Sequence, residues 1–135
     1  MAEAVTWLAS QMKEQHGLQV DVEASQDFNP SEEHMRVLLF QAVRELLFNV
    51  VKHAGVLAAT VSLTQKNGSG RIVVSDEGNG FDAATVLKDP QAAHGLLIIK
   101  DRLGLMGCNM QVESQPGAGT RVTIETSSTS ALLHL

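Results

Sequence analysis

The most informative stretch of this chain is Glu45-Leu46-Leu47-Phe48-Asn49-Val50-Val51-Lys52-His53-Ala54. It lies near the end of a helix that we predict to begin at about Ser31 and to end at Gly55. On a wheel of about 100° per residue, its polar side chains fall within roughly a quarter turn of one another. They are Glu45, Asn49, Lys52 and His53, with Gln41 beside them.

The opposite arc of this helix is apolar, and a helix with so wide an apolar side is expected to be buried on that side. The arc comprises Leu39, Val43, Leu46, Leu47, Val50 and Val51.

The narrow polar stripe combines an acid, an amide oxygen, a cation and an imidazole. These groups suit a magnesium–phosphate ligand, because the metal prefers hard oxygen donors and phosphates need positive charge. An ordinary solvated face is the alternative, since Glu45 and Asn49, and likewise Asn49 and His53, are spaced for pairs four residues apart. The stripe alone leaves both interpretations open.

Length and composition describe one folded domain of 135 residues, with 44% hydrophobic and 19% charged residues. The net charge of −5 provides no basic excess for a nucleic-acid partner. A single cysteine, Cys108, rules out an internal disulfide and fits a reducing compartment. The apolar runs fall short of the ~20 residues of a membrane span, and no signal-peptide pattern is present. We therefore expect a cytoplasmic domain without membrane contact.

Hydrophobic periodicity predicts the remaining elements. Helices are predicted at residues 2–15 and 96–106, and a helical turn is expected at about 83–87 within a long loop at 77–95. Strands are predicted at residues 18–24, 59–65, 71–76, 109–114 and 120–125, with turns at 67–70 and 115–119. Ser31 is the expected N-cap of the central helix, and a Ser/Thr-rich tail begins at Ser127.

Five strands and three helices without strict alternation predict an α/β fold, a two-layer sandwich. We expect a mixed sheet of about five strands, covered on one face by about three helices. The other face is expected to be nearly bare, because Thr, Ser and Gln alternate with its apolar positions.

The predicted strand 71–76 ends in a carboxylate and is followed by two glycines, in Asp76-Glu77-Gly78-Asn79-Gly80-Phe81. Glycines let a backbone approach a ligand closely, and the carboxylate can accept a hydrogen bond from an exocyclic amine such as that of adenine. Two alternatives compete. The segment is also typical of a simple turn. Gly78-x-Gly80-x-x-Ala83 satisfies the loose dinucleotide-binding pattern, but Asp101, at about the distance of its acid, falls in a predicted helix with Pro90 and Gly95 in between, which argues against that fold.

His94-Gly95-Leu96 opens the predicted helix after the long loop, where free backbone N–H groups can bind a phosphate. An ordinary helix start is equally consistent with this segment. The sequence contains no Gly-x-x-x-x-Gly-Lys-Ser/Thr loop, no Cys/His cluster for zinc and no Gly-x-Ser-x-Gly nucleophile motif.

Taken in order, these stretches resemble the Bergerat-type ATP-binding family, which includes histidine kinases, DNA gyrase, the heat-shock chaperone and the mismatch-repair ATPases. The similarity is greatest to the catalytic domains of nitrate-sensor and desaturase-sensor kinases. Glu45-Leu46-Leu47-x-Asn49-Val50-x-Lys52-His53-Ala54 resembles their N box, and Asp76-x-Gly78-x-Gly80-Phe81-Asp82 resembles their first glycine box. His94-Gly95-Leu96, Asp101-Arg102-Leu103 and Gly117-Ala118-Gly119-Thr120-Arg121-Val122 resemble the second glycine box and the closing segment.

The resemblance implies a role for each matched residue. It implies that Asn49 coordinates Mg²⁺ through its side-chain oxygen, with Glu45 holding a metal-bound water, and that Lys52 and His53 face the phosphates of ATP. Asp76 would accept the adenine amino group, helped by a water near Thr120, while Gly78 and Gly80 admit the ring. His94, Gly95 and Leu96 would close on the phosphate tail, which makes residues 83–95 a mobile lid.

The resemblance also implies partners. In such kinases the γ-phosphoryl group goes to a histidine on a separate helical dimerisation domain, and then to a response regulator. No histidine of this chain lies in a paired-helix segment upstream of the N box. Residues 1–126 are therefore expected to be an isolated catalytic domain, monomeric and inactive without its acceptor, from a sensor that is soluble or membrane-anchored. Residues 127–135 form a tail.

Three departures from the family pattern concern the lid and the helix after it: Ala93 replaces a lid glycine, Ile99-Lys100-Asp101-Arg102 replaces Met-Arg-Glu-Arg, and Gly107-Cys108 replaces paired glycines. None of them removes an expected ligand. Two other functional classes remain open: an ATP-binding regulatory or ATPase module without histidine kinase activity, and a non-catalytic interaction domain. Lys52-His53-Ala54 after Asn49 favours the kinase.

Overall fold

The computed structural model describes residues 1–25, 28–30, 32–66, 68–91 and 93–126. Ser31 and the tail 127–135 lie outside the described residues. The central helix has Glu32 as its N-cap, so the prediction of Ser31 at that position was wrong.

Helices and strands occupy nearly the predicted positions. The helices are α1 (Ala2–His16), α2 (Glu33–Asn49), the short α3 (Ala83–Val86) and α4 (His94–Leu105). The strands are β1 (Gln19–Ala24), β2 (Ala58–Lys66), β3 (Ser69–Asp76), β4 (Asn109–Ser114) and β5 (Thr120–Glu125). β4 and β5 match the prediction to the residue, whereas α4 begins at His94, two residues before the predicted start at Leu96.

The five strands form one mixed sheet in the order β1-β2-β3-β5-β4. β1 and β2 are parallel, with Val20 opposite Ala59, and the other three pairs are antiparallel. α1 packs on β1, α2 on β3 and α4 on β4, so that the helices form a second layer. The predicted two-layer α/β sandwich with a mixed sheet is confirmed.

The core lies between the two layers, where the apolar side of α2 meets the sheet. Leu39, Val43, Leu46, Leu47 and Val50 are buried as predicted, and Val51 is only partly buried. The opposite sheet face is polar: Thr60 and Ser75 share a hydrogen bond of 2.6 Å between their hydroxyl oxygens.

Core packing on α4 can be tested with two leucines that lie two positions apart. Leu103 is fully buried and Leu105 is 87% exposed. We expect Leu103→Ala to lower the free energy of unfolding by about 2–5 kcal/mol, because it leaves a cavity. Leu105→Ala is the matched control and should change it by less than about 0.5 kcal/mol. Urea unfolding of both variants measures the difference; equal losses would contradict this packing.

The end of the central helix differs from the regular helix predicted. Residues Val50–Ala54 form a π turn, and Gly55, with φ +73°, ends it in the left-handed region. The prediction of regular α-winding to Gly55 was therefore wrong for this turn, since wider i→i+5 winding changes the direction in which Lys52 and His53 point. The Ala54 carbonyl accepts a hydrogen bond of 2.7 Å from the Asn79 backbone N–H, so a tertiary contact accompanies the wider turn.

The chain's only cysteine, Cys108, precedes β4 and is buried. Its Sγ lies 3.5 Å from Sδ of Met35 on α2. Burial raises the pKa of the Cys108 thiol above its ordinary value, because desolvation disfavours the thiolate.

Candidate functional site

A cavity of about 340 Å³ lies between the end of α2, the strands β3 and β5, and the start of α4. Its walls are mostly apolar, with a few polar groups among them, as is usual for a small-molecule site. The predicted site residues that line it are Asn49, His53, Asp76, Gly80, Gly95, Leu96 and Thr120. Leu46, Val50, Val74, Phe81 and Val122 are among the apolar residues of its lining.

A second depression, the α2–α4 groove, adjoins this cavity. It measures about 740 Å³ and shares Asn49, His53 and Gly95 with the cavity. The groove contains the predicted residues Glu45, Lys52 and His94, together with Arg44, Phe48, Ile98 and Arg102. Its described charged residues are mainly cationic, although the whole chain is acidic. A ligand that fills the cavity and extends into the groove would therefore place its anionic part there.

Asp76 is the last residue of β3 and lies opposite Thr120 of β5. Its Oδ1 accepts a hydrogen bond of 2.8 Å from the backbone N–H of Gly78. Among the described residues, none donates to Oδ2. One carboxylate oxygen is thus held by the loop, and the other can accept a hydrogen bond from a ligand.

Ser114 at the end of β4 fixes the orientation of the Thr120 hydroxyl. Its Oγ accepts 2.8 Å from the Phe81 N–H, donates 2.9 Å to the Gly119 carbonyl and lies 2.9 Å from Thr120 Oγ1. Because the single Ser114 proton is used on Gly119, the Thr120 hydroxyl must be the donor to Ser114. Thr120 then offers only acceptor capacity, as Asp76 does, so this end of the cavity favours a ligand or water that donates hydrogen bonds.

Sequence reasoning did not single out Ser114. The available signal was its register: Ser114 stands opposite Thr120 in the β4–β5 pair, at the base of the turn that both residues flank.

The glycines after Asp76 pack backbone against backbone. A Cβ at Gly78 would overlap the Ala54 carbonyl at the end of the π turn, and one at Gly80 would overlap the Gln115 carbonyl. Gly117 also donates 2.6 Å to the Asn79 carbonyl. Gly80 lines the cavity, whereas Gly78 faces the helix end. The structure therefore supplies a reason for Gly78 other than the predicted admission of a ring: it joins the helix of Asn49 to the strand of Asp76.

Two glycines of the β4–β5 turn allow this close packing to be tested. Both have positive φ, +81° at Gly117 and +76° at Gly119, but only at Gly119 would a Cβ overlap another group, the Asp76 carbonyl. Gly117→Ala should cost about 1 kcal/mol of unfolding free energy through backbone strain alone. Gly119→Ala should cost about 2 kcal/mol more, because the Asp76 backbone must also move. Denaturant unfolding measures both; equal costs would mean that the turn is not pressed against Asp76.

Glu45 lies against the first turn of α4. A Cβ at Gly95 would overlap Glu45 Oε1, so the carboxylate touches the backbone where helical N–H groups are free. Ala93 precedes this turn, is buried and lines the cavity, and its φ of −108° is one that alanine adopts without strain. The substitution of the usual lid glycine is thus accommodated in this conformation.

The oxygen donors suit Mg²⁺ better than a transition metal. No group of three or more His, Cys, Asp or Glu side chains that could hold a metal occurs among the described residues. Asn49 and Glu45 line one groove and offer an amide and a carboxylate oxygen. Such a sparse donor set fits Mg²⁺, which usually keeps several waters and shares phosphate oxygens.

A two-layer sandwich with an amide-bearing helix and a strand-end carboxylate around one cavity is the arrangement expected of a nucleotide-binding α/β domain. The chain belongs to the histidine kinase-, DNA gyrase B- and HSP90-like ATPase family, whose model matches residues 34–130. The resemblance identified from the sequence is confirmed.

Sensor kinases are among its relatives. The chain is 38% identical over 89 residues to an uncharacterised sensor-like histidine kinase of Chloroflexus aurantiacus, covering 64% of this chain and 15% of that protein. It is 32% identical over 91 residues to the nitrate/nitrite sensor protein NarQ of Escherichia coli, covering 67% and 16% respectively. The chain thus spans about a sixth of the length of these relatives.

A blue-light activated histidine kinase of Erythrobacter litoralis shares the fold, with a TM-score of 0.79 and 19% identity over 98% of this chain and 43% of that one. Within the described ranges, no helix is both long and apolar enough to cross a membrane.

Proposed function

We propose that this chain is the ATP-binding catalytic domain of a two-component sensor histidine kinase. It binds Mg²⁺–ATP and delivers the γ-phosphoryl group to a histidine on a separate helical dimerisation domain, and a response regulator then receives the group. Residues 1–126 form the catalytic domain and 127–135 a tail, and we place the domain, a monomer in isolation, in the cytoplasm. The observation that carries this proposal is that Asn49 and Asp76 line the same cavity.

Adenine binding is assigned to the strand end. Asp76 Oδ2 accepts the exocyclic amine, because Oδ1 is already engaged by Gly78. Thr120 can accept only, so a water between the two residues donates to it. Phe81 and the apolar wall around Leu96 cover the ring.

Phosphate binding is assigned to the α2–α4 groove. Lys52 and His53 face the phosphates. His94 and Gly95 line the groove and Leu96 lines the cavity, and together they provide the helix start that closes on the phosphates at the end of the lid, residues 83–95. Asn49 would hold Mg²⁺ directly and Glu45 through a water, and the ion would neutralise phosphate charge. Positioning and charge stabilisation provide most of the catalysis in phosphoryl transfer, so a domain without a nucleophile is sufficient when the acceptor is supplied.

The test mixes the purified chain with a helical dimerisation domain that carries an acceptor histidine, in the presence of ATP labelled at the γ-phosphate. We expect acid-labile, base-stable phosphate on the helical domain, and none when its acceptor histidine is replaced by alanine. Calorimetry with ATP and Mg²⁺ is run in parallel. ATP binding without transfer to any such domain would favour the regulatory or ATPase module, and no binding would favour an interaction domain.

A further inference from the structure

Phe48 occupies a position that the family pattern leaves unspecified, between two residues of the proposed metal site. Its side chain is partly buried against the core and lines the α2–α4 groove together with Lys52 and Asn49. The ring is surrounded by basic side chains. Arg44 Cζ lies 5.3 Å and Lys52 Nζ 5.8 Å from its centroid, and the His16 ring meets it edge-on at 5.3 Å.

Lys52 has no other anchor among the described residues. No ion pair or hydrogen bond joins it to another described side chain or backbone group, although Glu45 lines the same groove. A lysine side chain is long and rich in rotamers, so an unanchored ammonium samples many positions. Among the described groups, the face of the Phe48 ring is the one in contact with the ammonium, which it attracts through its negative quadrupole.

The spacing explains how the contact forms. Phe48 precedes Lys52 by four residues, and Lys52 lies within the π turn that begins at Val50. The contact holds the ammonium in the groove, which shares Asn49 and His53 with the adjoining cavity.

We propose that Phe48 is a positioning residue that aims the Lys52 ammonium at the phosphates of the nucleotide. The inference rests on the proposed function and deepens it, since it assigns part of the phosphate affinity to a side chain that does not itself touch phosphate. Phe48 thereby reduces the rotamer freedom that Lys52 loses when ATP binds.

A double-mutant cycle tests the coupling. Phe48→Leu keeps an apolar side chain and removes the ring, and should weaken Mg²⁺–ATP binding by about threefold, the size of a cation–π contact at a partly exposed site. AMP binding should change less, because Lys52 is assigned to the phosphates and AMP has only one of the three. In the Lys52→Met background, Phe48→Leu should have no further effect on ATP affinity. Calorimetry gives the dissociation constants, and thermal unfolding checks that each variant folds.

Controls separate this role from a structural one. Phe48→Tyr retains the ring face and should bind ATP like the wild type. Arg44→Met, which removes the other cation on the ring, should leave the loss caused by Phe48→Leu unchanged. The proposal is overturned if Phe48→Leu does not affect ATP affinity, or if its full loss persists without Lys52.

A measurement on the unmodified protein covers the case in which Phe48→Leu does not fold. A nuclear magnetic resonance spectrum should show upfield ring-current shifts of the Lys52 side-chain methylene protons, and random-coil shifts would overturn the proposal. A wild-type protein that does not bind ATP would overturn the proposed function as well. ATP binding with an uncoupled Phe48 would overturn only the positioning role.

Discussion

Asp76→Asn is expected to weaken ATP binding by at least about tenfold and to abolish the preference for ATP over GTP. An asparagine at position 76 can keep the hydrogen bond from Gly78 only by turning its carbonyl oxygen toward that N–H. Its NH₂ group then replaces Oδ2 and meets the adenine amine, donor against donor. A hydrogen bond to a charged group contributes about 1.5–3 kcal/mol, and that contribution is lost.

The affinity for GTP should rise in Asp76→Asn. Guanine has a carbonyl oxygen where adenine has its amine, and the new NH₂ group can donate a hydrogen bond to it. Calorimetry with both nucleotides measures the ratio of their dissociation constants. Glu77→Gln makes the same charge change at the neighbouring exposed residue and should leave that ratio unaltered. If Asp76→Asn kept the wild-type ratio of the two dissociation constants, Asp76 would not be the residue that distinguishes adenine from guanine.

Asn49→Asp is expected to reduce phosphoryl transfer by about a hundredfold or more while leaving the fold intact. The change replaces an amide by a carboxylate of nearly the same shape at the junction of the cavity and the α2–α4 groove. A new negative charge would cost about 3 kcal/mol at an effective dielectric constant of 20 if it lay about 5 Å from a phosphate oxygen. A carboxylate also binds the metal more strongly than an amide does, which alters metal preference.

The measurement is nucleotide affinity titrated with Mg²⁺ and again with Mn²⁺, followed by transfer to the helical acceptor domain. Asn109→Asp is the matched control, since Asn109 is exposed at the start of β4. Thermal unfolding should differ little among wild type and both variants. Wild-type affinity and metal dependence in Asn49→Asp would mean that the metal is held elsewhere.

Local chemistry was sufficient to predict most elements. β4 and β5 were predicted to the residue because alternating side chains flank a turn with proline and glycine, which strands cannot continue through. The order of strands in the sheet could not be predicted in this way. β3 pairs with β5, and β4 lies at the edge, and no local pattern indicates which strands separated along the chain will pair.

Some features of the candidate site were likewise predictable from the sequence, and others were not. Motif resemblance placed Asn49 and Asp76 in one site before any geometry was known, and the cavity contains both side chains. The π turn could not be predicted, because Val50 to Ala54 contain no residue that breaks a regular helix and the loop at Asn79 contacts the turn only in the folded chain. The contacts of Gly78 were missed for a related reason: a glycine needed for packing and one needed for a ligand look alike in sequence.

The buried Cys108 thiol offers a way to measure opening of the domain by chemical modification. Because the only thiol of the chain is buried beside Met35, with its thiolate disfavoured, an alkylating reagent modifies it only after local opening exposes it. The rate of thiol modification therefore measures how often the chain opens, without any engineered label. A nucleotide bound between α2 and the sheet would stabilise the closed state, so the modification rate should fall as the occupied fraction rises and should report ligand binding.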